Sequence, residues 1–331
     1  MGKFMRTWSF NMMQNQQVFN RIKNIGLGIV SFLIPFFGLA RIALSKKGSV
    51  GAKIVTSIVY FIFWVYTASL MFFIVWAFYN SVKTDDAFLE NMNALPKVWS
   101  FSNYKDAYRF IEHNETGFIG MFINSIWFAA GSAFLAIFMH AITGYVFAKY
   151  NFPCKGIAFS FILFTISLPI VGSLPSMYKV VYTLHLEESP LFLVTYLGGF
   201  GSNFLIMYAF FNGIDKTYME AAEMDGATRF GIFFKIMMPL AIGPCISLFL
   251  LTFIAQWNNY ETPILFLSMM PTLSSGLYEF SMIMKFPQED IVSPQMTFYA
   301  GTLLAAIPVI LLVISFGEKL MTNVNIGGIK G

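Results

Sequence analysis

Along residues 54–80, 119–147, 156–182, 190–212, 239–266 and 298–317, apolar side chains follow one another with few charges between them. About 20 such residues cross the hydrocarbon core of a bilayer as a helix, so each run predicts one spanning helix. A transmembrane β-barrel would instead alternate apolar and polar positions in segments of roughly ten residues. The pattern predicts an all-α integral membrane protein with six transmembrane helices. A seventh run, at 25–44, is barely long enough, holds Pro35 near its centre and carries Arg41 at one end. Lys3, Arg6, Arg21 and Lys23 precede it, and Arg41, Lys46, Lys47 and Lys53 follow. Both flanks prefer the cytoplasm, so this segment is expected to lie in the interface or re-enter rather than cross.

Composition agrees with the pattern. Of 331 residues, 57% are hydrophobic and 11% charged, with a mean hydropathy of +0.65, outside the range of an average soluble domain. The net charge of +4 reads as the basic excess of cytoplasmic loops, and no nucleic-acid partner is expected. Six crossings from a cytoplasmic N-terminus put the 81–118, 185–189 and 267–297 connections outside. The 148–155 and 213–238 connections and the C-terminus then fall inside. In the 81–118 loop Asp85, Asp86, Glu90, Asp106, Glu112 and Glu115 outnumber Lys83, Lys97, Lys105 and Arg109, as an external loop allows. The expected organisation is a basic segment at 1–53, a spanning domain at 54–317 and a cytoplasmic tail at 318–331. No short apolar region followed by a cleavage site opens the chain, so no removed signal peptide is expected. Cys154 and Cys245 have neither redox-pair nor metal-ligand spacing.

One stretch interrupts the apolar pattern. "YMEAAEMDGATRFGIFFKIMMPL", 218–240, carries Glu220, Glu223, Asp225, Arg229 and Lys235 on the cytoplasmic side. Tyr218 to Met224 predicts a short helix, Asp225-Gly226 a turn, and Thr228 to Met238 a second helix ahead of Pro239. Phe230, Phe233, Phe234 and Met237 recur at i, i+3, i+4 and i+7, predicting one apolar face. Ala221, Ala222 and Ala227 around Gly226 leave the backbone open to another surface. On pattern alone the segment is either a solvated tether between spans or a docking element.

The order Glu220-Ala221-Ala222, Gly226, then Ile236-Met237-Met238-Pro239 resembles the EAA signature of ABC-importer permease subunits, with Met238 in place of the usual leucine. Residues 123–152 resemble the second helix of the carbohydrate-importer permeases, "QWNNYETPILFL" their Trp-Asn…Pro segment, and "IGGIKG" the C-terminus of subunits similar to the maltose permease MalG. The likeness covers most of the chain from about residue 54 on. Asp215-Lys216 departs from the Ile-Pro pair of many members.

The resemblance implies a MetI-like permease core in a bacterial inner membrane, with both termini cytoplasmic. It implies an EAA helix-turn-helix, with Glu220, Ala221, Ala222, Asp225, Gly226, Ala227, Phe230 and Pro239, seated in a cleft of a separate ATPase. It further implies a heterodimer with a second permease, two ATP-binding subunits, an external solute-binding protein and a carbohydrate cargo. Gly327, Gly328 and Lys330 would touch the ATPases, the other reading of that tail being a frayed terminus.

Catalytic chemistry is not expected of this chain. The closest approach to a phosphate-binding loop, Gly226 to Gly231, lacks the lysine that reaches the phosphates. ATP and Mg are therefore expected on a partner ATPase, with no cofactor bound here. His113, His140 and His185 are scattered without metal-site spacing. Trp257, Asn258, Asn259, Tyr260 and Glu261 combine aromatic faces with amides and a carboxylate, which suits a hydroxyl-rich solute; the same composition suits an interfacial aromatic belt. Gly198, Gly199 and Gly201, and the pair Ala129 and Ala133, predict close helix packing. Rival functions are a permease for a non-sugar solute and an ion-coupled secondary transporter. The second is disfavoured by the lack of a duplicated helix pattern and of mid-membrane ionisable residues.

Overall fold

The computed structural model describes residues 49–168, 172–284 and 294–324. The apolar segment at 25–44 and Gly327, Gly328 and Lys330 lie outside the described residues. The chain divides into two units, Met1–Ala77 and Phe78–Gly331. In the first, the described residues form most of α1 (Val50–Ser81), whose large apolar side chains are exposed along its length. A helix apolar all round suits lipid as its solvent.

The second unit holds α2 (Asp85–Glu90), α3 (Ser102–Phe110), α4 (Phe118–Lys149), α5 (Lys155–Ser167) and α6 (Ser173–Thr183). A 3₁₀ segment, Pro190–Tyr196, leads to α7 (Ser202–Gly213) and α8 (Thr217–Met224). Then come α9 (Arg229–Leu240), α10 (Ile242–Trp257), α11 (Glu261–Phe266), α12 (Leu273–Ile283) and α13 (Pro294–Val324). The long helix α4 is the spine, about 48 Å at 1.5 Å per residue, with α7 and α10 packed along it. Gly144 sets the closest approach: a Cβ there would lie 2.9 Å from both Met207 Cβ and the Tyr208 backbone nitrogen. Ala129 and Ala133, fully buried, let Phe253 and Trp257 of α10 close against the same helix.

Three described helices are long and apolar enough to cross a membrane: Val50–Ser81, Phe118–Lys149 and Pro294–Gly317. A fourth results if α9 and α10, bent by 72°, count as one. The runs at 156–182 and 190–212 are broken rather than continuous. Leu168 is extended, with φ −80° and ψ 127°, as a residue before proline must tend to be, and Gly172 takes φ +84° before α6 begins. Residues 197–201 are non-helical, and the Thr143 hydroxyl donates to the Gly199 carbonyl at 2.6 Å. That bond satisfies one carbonyl of this irregular stretch from within the protein. The run at 239–266 likewise stops at Trp257 and restarts as α11. At the far end, α13 stays helical past residue 317 to Val324.

The connections gather at two opposite ends of α4. At its N-terminal end, the Asn124 amide donates to Pro271 O and the Ser125 hydroxyl accepts from Leu273 N. Asn114 donates to Ser268 O, His113 pairs with Glu279, and the Glu188 carboxylate accepts from Ser268 N, Ser268 Oγ and Met269 N. Loops 81–118, 185–189 and 267–284 are thus tied together. At the other end Lys149 donates to Ile214 O and Arg229 lies over Tyr150, joining 148–155 to 213–238.

Candidate functional site

The polar interruption folds as an elbow with a cap on each side of its turn. Thr217 N donates to Asp215 Oδ1 at 3.0 Å, opening α8. That backbone N–H holds the Asp215 carboxyl below its ordinary range, and Asp215-Lys216 thereby starts the helix without the Ile-Pro pair. At the other end of α8, Ala227 N donates to Ala222 O at 2.9 Å and Gly226 N to Glu223 O at 3.0 Å. This is the paired hydrogen-bond pattern of a Schellman stop. Gly226 adopts φ +79°; nothing crowds its absent Cβ, so backbone conformation, not close approach, demands glycine. Thr228 then caps α9, its Oγ1 accepting from Gly231 N at 3.2 Å.

Helix α9 contains a π turn at Phe233–Met237, where Met238 N–H reaches Phe233 O. Pro239 lacks an N–H to donate, and its ring would crowd the carbonyl four residues back in a regular helix. The wider π turn just ahead of it relieves that conflict.

One side of the elbow is welded to the helical core. Met219, Ala222, Ile232, Phe233 and Met237 are buried in one cluster with Ile137, Ala141 and Tyr145 of α4 and with Met207 and Phe211 of α7. Tyr145 is the hub: its ring centre lies 5.0 Å from Phe233 and 5.5 Å from both Phe211 and Tyr150. The expected single apolar face is therefore split. Phe233 and Met237 turn inward, whereas Phe230 is 79% exposed and Phe234 is half-exposed. Glu220, Ala221, Asp225, Gly226, Ala227 and Pro239 are exposed as well, while Ala222 belongs to the core. Met224, 89% exposed, stands at the tip. Tyr145 carries no expectation from the sequence; an aromatic near the exit of α4 was the available signal.

The side chains of the second candidate cluster engage different partners. Trp257 is buried, its indole N–H donating to Ala305 O at 3.2 Å, between Phe253 and Phe122. Asn258 bonds back to Ile254 O. Asn259 donates to Gln256 Oε1 and Thr262 Oγ1 and accepts from Thr262 N, starting α11. Tyr260 stacks on Tyr278 at 4.4 Å. Glu261 is exposed in the first turn of α11. Among the described residues, no group of three His, Cys, Asp or Glu could hold a metal ion.

The family model described as binding-protein-dependent transport system inner membrane component matches residues 140–318. The chain belongs to that family. The matched region begins near the inner core cluster on α4 and takes in the elbow, α10 and most of α13. The chain is 29% identical over 252 residues to the arabinooligosaccharides transport system permease protein AraQ of Bacillus subtilis, covering 73% of this chain and 83% of that protein. It is 24% identical over 261 residues to the trehalose transport system permease protein SugB of Mycobacterium tuberculosis, covering 78% and 92%. Its fold is that of a chain in a crystal structure of a bacterial ABC transporter importing the acidic polysaccharide alginate: TM-score 0.68, 20% identity, 83% of this chain and 99% of that one. The protein is thus a membrane-embedded transport subunit with a MetI-like permease fold, and the family is one of permeases rather than enzymes.

Proposed function

We propose that this subunit forms half of the translocation pathway of an ATP-driven importer, and that the elbow Thr217–Leu240 is its coupling element toward a separate ATPase. The observation that carries the reading is the two-sidedness of the elbow. Its inner side shares one apolar cluster with α4, α7 and α10, while Met224 and Phe230 stand exposed on the outer side. Exposed apolar residues rimmed by Glu220 and Asp225 suit a protein partner's cleft. A partner gripping them moves α4 and α7 with the elbow, because close-packed interiors transmit displacement rather than absorb it. Glu220, Ala221, Asp225, Gly226, Ala227, Phe230 and Pro239 form the gripped surface, and Ala222 anchors it from within. Gly327, Gly328 and Lys330 add a second ATPase contact. ATP and Mg act on the partner, and this chain binds no cofactor.

The assembly proposed is a heterodimer with a second permease, two ATP-binding subunits and an external solute-binding protein. The subunit crosses a bacterial inner membrane six times, broken segments each counting as one crossing, with both termini cytoplasmic. The gathering of loops at two ends of α4 supports this sidedness, since connections assigned to one face bond among themselves. A carbohydrate cargo is supported by the arabinooligosaccharide and trehalose permeases among the relatives. Tyr260 and Glu261, with Asn258 and Asn259, line the path; Trp257 holds α10 against α13 beneath them. Copurification with mass spectrometry tests the assembly, and uptake of labelled solutes tests the cargo. Transport of a non-sugar alone would remove the carbohydrate, and ion-driven uptake by the purified chain without ATP would remove the importer.

A further inference from the structure

Between α1 and α3, residues 82–100 form a closed loop. Ser100 N donates to Val82 O at 2.8 Å, and the buried Asn103 amide bridges Ser81 O and Lys83 O, both at 2.8 Å. The Lys83 side chain runs inside the loop, donating to Asn91 O and Met92 O at 3.1 Å, its ammonium 4.9 Å from the Tyr79 ring centre. Tyr79 OH reaches Asn93 O at 3.3 Å, and the Ser81 hydroxyl bonds Tyr104 OH at 2.8 Å. Val82, Lys83 and Pro96 of the loop are buried. Phe88 faces Tyr299 of α13.

Large apolar side chains stand outward among the exposed polar residues Thr84, Asp86, Asn91 and Asn93. Leu89 is 75% exposed, Leu95 74% and Trp99 55%, with Met92, Val98 and Phe101 also exposed. On the loop's surface Lys97 pairs with Glu90 at 3.0 Å, which cancels charge locally. The loop is hydrogen-bonded to the final turn of α1, an apolar helix long enough to cross a membrane, and Phe78 in that turn is exposed too. Exposed apolar side chains therefore continue from the final turn of α1 onto the loop. Tryptophan among aliphatic neighbours at the end of a spanning helix fits the headgroup boundary.

We propose that loop 82–100 is an interfacial anchor, its Leu89, Leu95 and Trp99 face seated in the headgroup layer where α1 leaves the bilayer. Lys83 is the internal strut that keeps the loop closed. This needs α1 to span and is independent of the coupling assigned to the elbow.

The test uses the full chain with Cys154→Ser and Cys245→Ala, reconstituted in phosphatidylethanolamine and phosphatidylglycerol vesicles. A nitroxide is placed at Leu95→Cys, Trp99→Cys or Asp86→Cys. All three native side chains are exposed, so labelling leaves the packing in place. Collisions with oxygen are expected to exceed those with a nickel chelate at 95 and 99, and the order to reverse at 86. Nickel access at 95 equal to that at 86 overturns the proposal. So does a label at 95 that loses nickel access only when an external solute-binding protein is added, which would assign the face to a protein partner.

Discussion

The Arg229 guanidinium lies over the Tyr150 ring, 5.6 Å from its centre, joining the first turn of α9 to the end of α4. Such a pair contributes about 0.5–1 kcal/mol when exposed. In a double-mutant cycle of Arg229→Ala and Tyr150→Leu, read by thermal unfolding of the purified assembly, a coupling of about that size is expected. Additive effects would mean that the stacking does not hold the elbow.

Gly226 occupies φ +79°, where a side chain with a branched Cβ costs about 1–2 kcal/mol or more. Gly226→Val is expected to abolish coupled uptake while membrane insertion persists, and Gly226→Asn, whose side chain tolerates this conformation, to retain most of it. Equal uptake by both variants would take the turn out of the mechanism.

Thr228 accepts from Gly231 N at the start of α9. Thr228→Ala is expected to cost about 0.5–2 kcal/mol, and Thr228→Ser to restore it. Hydrogen exchange at Gly231 and Ile232 reads the loss locally, and unchanged protection in Thr228→Ala would contradict the cap.

At Gly144 a Cβ would meet Met207 Cβ and the Tyr208 backbone at 2.9 Å. Backbone cannot step aside as a flexible side chain can, so Gly144→Ala is expected to destabilise by about 1–3 kcal/mol. A thermal midpoint as high as that of the parent would show that α4 and α7 have more room than this.

Much of the elbow was legible in the sequence because its determinants are local. Asp225-Gly226 announces a helix stop, and a threonine two residues beyond Gly226 announces the next start. The split between Phe233 and Met237 inside and Phe230 and Phe234 outside was not legible. It depends on where Tyr145 sits and on the π turn ahead of Pro239, and neither follows from a 3.6-residue period. The same limit applies to the spans. Hydropathy reads 156–182 as one helix because it weighs apolarity, whereas the break follows from the conformation of Leu168 and Gly172. Trp257 carried the composition of a sugar site, yet its indole N–H is taken by Ala305, 48 positions away, a partner that no local pattern reveals.

If an ATP-hydrolysing subunit grips the elbow, Met224, an apolar side chain 89% exposed beside the turn, lies within reach of that subunit. With Met224→Cys carrying a short bifunctional thiol-to-amine cross-linker in the native assembly, a covalent adduct with an ATP-binding subunit is expected, identified by mass spectrometry. An adduct with the external solute-binding protein, or none with the ATP-binding subunit in an assembly that still transports, would contradict that grip.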